Sequence, residues 1–269
     1  MTEHDLIACL PMYDWPEVRP ATDALWTAMA TAFARHGIDA PAALDREMRR
    51  EDAWAAPNLV LGQTCGLPFM RTLRGRATML GSPVYDLPDA EPGDYYSVVV
   101  ARTDDPAAAV ADFRGRRVAF NGADSQSGYA ALQIVVAPLA DDGQFFVTGL
   151  ATGTHRASAA AVAEGRADIA ALDAVSWELL RDYDPVVARA LKIIATTPVS
   201  PGLPYITSLA DASRRATLNT ALAEAIDGLD QASRRALRID GFRPRAEADY
   251  VVLTERLAAA EQAGYPALS

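Results

Sequence analysis

The chain has 269 residues, of which 50% are hydrophobic and 22% are charged, and its formal net charge is −10. This composition is typical of a globular protein with a hydrophobic core, long enough for one large domain or two lobes. The negative charge argues against a nucleic-acid-binding surface, which needs clustered Lys and Arg, and it gives no long-range attraction for anions. Any bound anion must therefore be held by local hydrogen bonds.

Apolar runs and turn residues predict strands and helices that alternate along most of the chain. The predicted strands are residues 5–10, the first part of 57–68, 78–85, 95–101, 116–122, 143–149, 168–172 and 191–197. The predicted helices are residues 20–36, 127–139, a segment that ends before Gly165, and 175–182, and the chain from residue 211 onwards is predicted to be mostly helical. The Pro-rich segment 198–207 is predicted to be a linker.

Strands that alternate with helices of this length indicate an α/β protein with mainly parallel sheets flanked by helices. The runs at 95–101 and 191–197 are suited to carry the chain between two lobes. We therefore expect residues 1–93 and 196–269 to form lobe 1, and residues 94–195 to form an inserted lobe 2. Ligands of such sheets bind beyond the carboxyl ends of the strands, which here predicts a cleft between the lobes.

The most unusual stretch is FNGADSQSGYAAL, which runs from a predicted strand into a predicted helix. It places Ser125, Gln126 and Ser127 at a helix start, where backbone N–H groups are unpaired and carry partial positive charge. Gly128 would let a ligand approach the backbone closely. Together these residues could bind an oxyanion without Lys or Arg. The alternative is that one serine only caps the helix.

The segment DFRGRRVAFNGADSQSGYAAL, followed by THRASAAAVAEGRADIAALDAVSWELL, resembles the phosphonate-type substrate-binding proteins of ABC transporters. That family has a type II periplasmic-binding-protein fold. The resemblance implies that Ser125, Gln126 and Ser127 hold phosphonate or phosphate oxygens, with His155 against the same group. Gln126 is a departure, because the family has a hydroxyl side chain there.

Several other residues are candidates for the ligand site. Tyr95 or Tyr96 could line the cleft, but neighbours on a strand face opposite sides, so one of the two must point into a core. Asp173 follows a predicted strand and could accept a proton from a phosphate-like group or pair with a ligand amine, or it could cap the next helix. From the first lobe, Tyr13, Gln63 and Thr64 follow strands and could contact the ligand from the opposite wall.

The two cysteines, Cys9 and Cys65, lie in apolar runs and are expected to be buried thiols, although the sequence leaves a disulfide open. Neither belongs to a C-x-x-C motif, and we expect no metal and no cofactor. The first residues lack a basic segment followed by a long apolar one. This predicts a cytoplasmic location for the chain as written, or a periplasmic one if a leader has been removed.

Three functions remain open from the sequence. We favour a non-catalytic binding protein, a monomer by analogy, that presents an oxyanion to an ABC permease. A cytoplasmic sensor with a regulatory protein partner is the second. The third is an enzyme of the same fold, a lyase or a cofactor-precursor biosynthetic enzyme, with His155 and Asp173 as acid and base. The chain shows no P-loop, dinucleotide fingerprint or nucleophile elbow to support the third.

Overall fold

The computed structural model describes residues 6–209, 212–265 and 267–268. The strands are β1 Ile7–Cys9, β2 Leu59–Gln63, β3 Thr78–Tyr85, β4 Asp94–Tyr95, β5 Ser97–Arg102, β6 Arg117–Phe120, β7 Thr148–Ala151, β8 Ile169–Asp173, β9 Leu191–Thr196, β10 Ser200–Pro201, β11 Tyr205–Thr207 and β12 Ile239–Pro244. The α-helices are α1 Arg19–Arg35, α2 Arg50–Trp54, α3 Gly66–Pro68, α4 Ala131–Val136, α5 His155–Ala163, α6 Ala174–Tyr183, α7 Pro185–Arg189, α8 Ala212–Asp227, α9 Gln231–Leu237 and α10 Val251–Gln262. Two π-helical turns, Phe69–Leu73 and Gln126–Ala130, complete the elements used below.

The chain forms two compact units and passes between them three times. Unit 1 comprises the described residues of Met1–Asp94 and Pro201–Tyr250, and unit 2 comprises those of Tyr95–Ser200 and Val251–Ser269. The short strands β4 and β10 pair with each other where the chain leaves unit 1 and returns to it. The expected boundaries placed the last residues in lobe 1, whereas α10 and the described residues after it belong to unit 2, where Ala260, Tyr265 and Leu268 are part of its core.

Unit 1 contains a five-stranded sheet in the order β1-β2-β11-β3-β12. β1 is parallel to β2, whereas β11 is antiparallel to both of its neighbours and β12 is antiparallel to β3. Helix α1 follows the predicted pattern closely: it has Pro20 in its first turn and ends before Gly37, whose φ of 69° suits glycine.

Unit 2 contains a second five-stranded sheet, in the order β7-β6-β8-β5-β9. β6 is parallel to β7 and β8, and β5 is antiparallel to β8 and β9. Its core includes Phe113, Leu132 and Phe145, together with Tyr265 and Leu268 from the C-terminal segment. Burying one such large side chain contributes roughly 1.5–3 kcal/mol, so the C-terminal segment is an integral part of this unit.

The predicted α/β class is confirmed, but three details of the sheets differ from the sequence-based expectation. The sheets are mixed rather than mainly parallel, because the strands next to the crossings, β5 and β11, run against their neighbours. The strand predicted at 143–149 begins later, at Thr148, since the preceding phenylalanines are buried in the core as a loop. The predicted linker 198–207 contains β11, and the predicted C-terminal helices are interrupted by β12.

Some features of the chain can be compared only in part. The predicted strand 5–10 and the predicted helical region from 211 each begin at a residue outside the described ranges. Cys9 and Cys65 are both buried and do not form a disulfide, which matches the expectation of buried thiols. Within the described residues, we find no helix with the length and hydrophobicity needed to span a lipid bilayer.

Candidate functional site

The ends of three strands of unit 2 bring the predicted polar residues to one edge of the sheet. β6 and β8 are parallel, so their carboxyl ends lie at the same edge. β5 runs in the opposite direction, and its first residue, Ser97, pairs with Asp173, the last residue of β8. The Ser97 hydroxyl donates a hydrogen bond of 2.9 Å to the Ser127 carbonyl oxygen, which fixes the helix start after β6 against β5.

The turn Gln126–Ala130 opens a helical segment that continues directly into α4. Ser125 is its N-cap: its hydroxyl oxygen accepts the N–H of Gly128 at 3.0 Å. The N–H groups of Gln126 and Ser127 have no hydrogen-bond partner among the described residues. Because a hydroxyl that accepts one hydrogen bond can still donate another, the Ser125 O–H and two backbone N–H groups remain available as donors.

His155 begins α5 and contacts both the helix start and β8. Its Nε2 lies 2.9 Å from the Ser127 hydroxyl oxygen, and its Nδ1 lies 3.4 Å from the backbone nitrogen of Asp173. Burial lowers the pKa of His155 to about 4, although a hydrogen bond to the Ala171 carbonyl favours the protonated ring. The ring is therefore neutral at pH 7.

The neutral ring has a single proton, and the position of that proton sets the direction of the contact with Ser127. With the proton on Nε2, Nδ1 accepts from the Asp173 N–H and Nε2 donates to the Ser127 hydroxyl oxygen. With the proton on Nδ1, the ring donates to the Ala171 carbonyl and Nε2 accepts from the Ser127 hydroxyl. The Ser125 O–H is available to an anion in both tautomers, and the Ser127 O–H is available in the first.

Asn121 is a residue of this site that the sequence reasoning missed. Its side-chain nitrogen lies 3.4 Å from His155 Nε2, and its side-chain oxygen, Oδ1, is buried without a partner among the described residues. A Cβ atom at position 128 would meet the Asn121 side chain and, at 3.1 Å, His155 Cε1. The side chains of Asn121 and His155 therefore leave no room for a Cβ atom at position 128. The position of Asn121, directly after the buried strand β6, was the available signal.

Gln126 is 2% exposed, and its side-chain carbonyl oxygen is buried without a partner among the described residues. An unsatisfied buried acceptor of this kind costs about 1–3 kcal/mol. Gln126 is also where the chain departs from the hydroxyl residue that the resemblance implies. The residue therefore adds an acceptor to a turn that otherwise presents donors.

Asp173 is the N-cap of α6. Its Oδ1 accepts the N–H groups of Val175 at 2.9 Å and Ser176 at 3.1 Å, and the residue is 1% exposed. Its backbone nitrogen lies beside His155 Nδ1. The geometry thus forms the helix cap that the sequence left open as an alternative.

Replacing Asp173 by alanine is expected to lower the free energy of unfolding by about 1–2 kcal/mol, because two N–H groups lose their acceptor. Asn, which also caps helices, should retain most of this stability. Urea denaturation of the two variants measures the difference. Equal destabilisation by Asn and Ala would show that the negative charge, rather than the cap, is what matters.

The remaining candidates are divided between the units. Tyr95 and Tyr96, in unit 2, are 2% and 8% exposed, so both are buried. Tyr13, Gln63 and Thr64 belong to unit 1 and are also buried. The Gln63 amide donates to the Tyr85 hydroxyl at 3.0 Å, and the Tyr13 ring packs edge-on against Tyr85. Thr64 donates to the Cys65 carbonyl at 3.3 Å.

The described residues contain no group of three or more His, Cys, Asp or Glu side chains placed to hold a metal ion. The donors described above are the two serine hydroxyls, two backbone N–H groups and the His155 ring, and the side-chain oxygens of Asn121 and Gln126, without partners among the described residues, lie beside them. Such a set binds oxyanions through directed hydrogen bonds at a helix N-terminus.

Comparison with known proteins agrees with this chemistry. The family described as "ABC transporter, phosphonate, periplasmic substrate-binding protein" matches residues 61–250, which is more than half of the chain. No curated protein sequence matches the chain.

Several solved structures are similar to this chain. The binding protein component of an ABC phosphonate transporter from Pseudomonas aeruginosa is 16% identical, with a TM-score of 0.73 over 96% of this chain and 87% of that one. PhnD1 from Prochlorococcus marinus, in complex with methylphosphonate, is 15% identical, with a TM-score of 0.73 over 96% and 98%. A Xanthomonas citri protein bound to ATP is 19% identical, with a TM-score of 0.70 over 96% and 97%.

At these identities the structural likeness establishes the fold, and it confirms the expected type II periplasmic-binding-protein fold. The family match favours a binding protein over the enzyme alternative, and the family partner of such a protein is an ABC permease. The chain therefore belongs to the periplasmic substrate-binding proteins of phosphonate ABC transporters.

Proposed function

We propose that the protein binds a small phosphonate or phosphate-type oxyanion through Ser125, Ser127 and His155, together with the first N–H groups of the helix, and releases it unchanged. The observation that carries this proposal is the 2.9 Å contact between the Ser127 hydroxyl and His155 Nε2 beside a helix start with two unpaired N–H groups. The contact orients both side chains before a ligand arrives, which reduces the entropic cost of binding.

The net charge of −10 gives no long-range help, so local donors must supply the affinity. Ser125, Gln126 and Ser127 are 4%, 2% and 2% exposed, so their hydrogen bonds to an anion would form with little competition from water. A hydrogen bond to a charged group contributes roughly 1.5–3 kcal/mol, about twice the usual value. The hydroxyls of Ser125 and Ser127 and the N–H groups of Gln126 and Ser127 make four such donors. Together they suffice for tight binding without Lys or Arg.

His155 distinguishes between anions by their charge. A dianion next to the ring would raise its pKa, because a nearby opposite charge favours the protonated imidazole. The Ala171 carbonyl already favours that form. A phosphonate dianion would therefore raise the pKa of His155, and a sulfonate monoanion would raise it less.

The ligands named for similar structures support this chemistry. PhnD1 from Prochlorococcus marinus was solved with methylphosphonate, and the Xanthomonas citri protein was solved with ATP and with a chloride ion. All three ligands are anions, and two of them contain the tetrahedral oxygen group that the donors of unit 2 would hold.

Ser127→Ala is expected to weaken binding of methylphosphonate or phosphate at least tenfold, since it removes a donor to a charged group and leaves His155 Nε2 without its partner. Isothermal titration calorimetry with methylphosphonate, phosphate, methyl phosphate and methanesulfonate measures the effect. A thermal-shift screen of the same anions selects the tightest ligand, because ligands that bind the folded state raise its melting temperature.

Ser158→Ala is the matched control. Ser158 is buried in the same helix as His155, and its hydroxyl lies 2.6 Å from that of Thr152, a residue outside the proposed set of ligand donors. This variant should lose stability but keep its affinity. If none of the anions binds, or if Ser127→Ala and Ser158→Ala bind equally well, the proposal is wrong, and observed turnover of a ligand would revive the enzyme alternative.

A further inference from the structure

Unit 1 has a pocket of about 210 Å³ at the carboxyl end of β1. Water occupies about 30 Å³ per molecule in the liquid, so this volume corresponds to about seven waters or one small organic molecule. Its lining includes Asp14, Arg19, Asp45 and Arg46, together with Cys9 and apolar side chains. The lining thus contains two cationic and two anionic groups.

Arg46 is held rigidly in this pocket. Its Nε and Nη2 atoms donate to the two carboxylate oxygens of Asp14 at 2.6 and 3.1 Å, and Nη2 also donates to Asp23 at 2.8 Å. The Asp14 side chain is only 10% exposed, so this two-point pairing is largely shielded from water. Nη1 has no partner among the described residues.

Arg19 adds a second guanidinium group. Its Nε lies 3.5 Å from Asp14 Oδ2, and its side chain is 52% exposed. This single contact leaves the outer nitrogens of Arg19 available to an anion. The two guanidinium groups share Asp14 as their anchor, so both are kept beside the pocket.

Asp45 supplies the opposite charge. Its Oδ1 accepts the N–H groups of Glu47 at 2.9 Å and Met48 at 2.8 Å, while Oδ2 has no partner among the described residues. Its negative charge acts on Cys9, which lines the pocket. The pKa of the Cys9 thiol is raised to about 12, mainly by burial and also by the Asp45 carboxylate. A cation placed near Oδ2 would be stabilised by the same charge.

These charges select one class of ligand. A simple anion would meet Asp45, and a simple cation would leave Arg46 Nη1 and the outer nitrogens of Arg19 without a partner. We propose that the pocket binds a small amino acid, with its carboxylate on Arg46 Nη1 and Arg19 and its ammonium group on Asp45 Oδ2. All of these residues belong to unit 1, so the proposal does not depend on the oxyanion site of unit 2.

The test begins with a thermal-shift screen of the twenty standard amino acids, followed by calorimetric titration of the tightest. Its N-acetyl derivative and its C-terminal amide each lack one charge and should bind at least tenfold more weakly. Asp45→Asn keeps an oxygen for the Glu47 and Met48 N–H groups but removes the charge, and it should weaken binding at least tenfold. Arg19→Gln, at an exposed side chain, should have a similar effect.

Ser127→Ala separates this proposal from the proposed function, because it should leave amino-acid affinity unchanged while oxyanion affinity falls. The melting temperature of Asp45→Asn without ligand shows whether the turn at 45–48 is intact. The proposal is overturned if no amino acid binds at millimolar concentration or if the blocked derivatives bind equally well. It is also overturned if Asp45→Asn folds normally and binds as the wild type does, or if Ser127→Ala weakens amino-acid binding.

Discussion

Replacing Gly128 by alanine is expected to abolish measurable oxyanion binding and to lower the free energy of unfolding by about 1–3 kcal/mol. The new Cβ atom would lie 2.9 Å from Asn121 Cγ and 3.1 Å from His155 Cε1, closer than side-chain carbons normally approach. The Asn121 side chain must move, and His155 must shift by a few tenths of an ångström, which disturbs its 2.9 Å contact with Ser127. A shift of this size at the centre of a binding site removes several interactions together, so the affinity should fall about a hundredfold or more.

Gly241→Ala provides the control for this substitution. Gly241 lies in β12 of unit 1, and a Cβ there would meet only Val84, at an ordinary contact distance of 3.9 Å. The control should bind oxyanions as the wild type does. Calorimetry measures the affinity and urea denaturation the stability of both variants. Unchanged oxyanion affinity in Gly128→Ala would show that the ligand does not use this helix start.

The second large effect is a loss of stability on acidification, through His155. Burial lowers the pKa of this residue to about 4 in the folded protein, whereas the unfolded chain has the ordinary value near 6.5. The unfolded state therefore binds a proton first as the pH falls. The contribution of neutral His155 to the free energy of unfolding is fully present above pH 6.5. It is lost between pH 6.5 and 4, by about 3 kcal/mol in total for this one group.

Urea denaturation at pH values from 7.5 to 4 measures this loss. His155→Gln removes the titrating group, so its stability should decline less steeply than that of the wild type in this range. His36→Gln is the control, because His36 lies near the surface of unit 1, 3.1 Å from Glu224. This substitution should not change the pH dependence of the free energy of unfolding that His155 causes. If His155→Gln and the wild type lose stability in parallel, the ring is not buried in its neutral form.

A bound oxyanion should reduce the loss of stability that His155 causes between pH 6.5 and 4. A bound dianion favours the protonated ring, so the pKa of His155 in the complex lies above its value in the free protein. The affinity for a phosphonate dianion at fixed charge should then increase as the solution becomes more acidic, until the ligand itself takes up a proton.

The sequence predicted the α/β class and the family because those features depend on local patterns. Alternating apolar runs and glycine-containing turns mark β3 and α1 with bounds close to those observed. The short strand β11 was missed since only three residues form it and prolines precede it, yet Tyr205 and Ile206 are almost completely buried between β2 and β3. The edge strand β12 was missed because several of its residues are charged or exposed, a pattern that is also typical of a solvent-exposed helix face.

The candidate site was predictable in its residue types and less so in their roles. The sequence placed serines at a helix start and a histidine at the next, but it left open which serine acts as a cap; the structure identifies Ser125 as the cap and Ser127 as the partner of His155. Asn121 was missed because its contact with His155 joins residues that are distant in sequence, although its position directly after β6 was an available signal. Likewise, Asp14 and Arg46 meet only through the tertiary structure of unit 1.

The C-terminal segment has a consequence for synthesis of the protein. Tyr265 and Leu268 belong to the core that surrounds β5, β6 and β8, although those strands are made more than ninety residues earlier. Unit 2 therefore cannot complete its core until residues 265 and 268 have been made and have left the exit tunnel. Until then the part of its apolar surface that they cover is exposed, and incompletely packed chains of this kind are prone to aggregate.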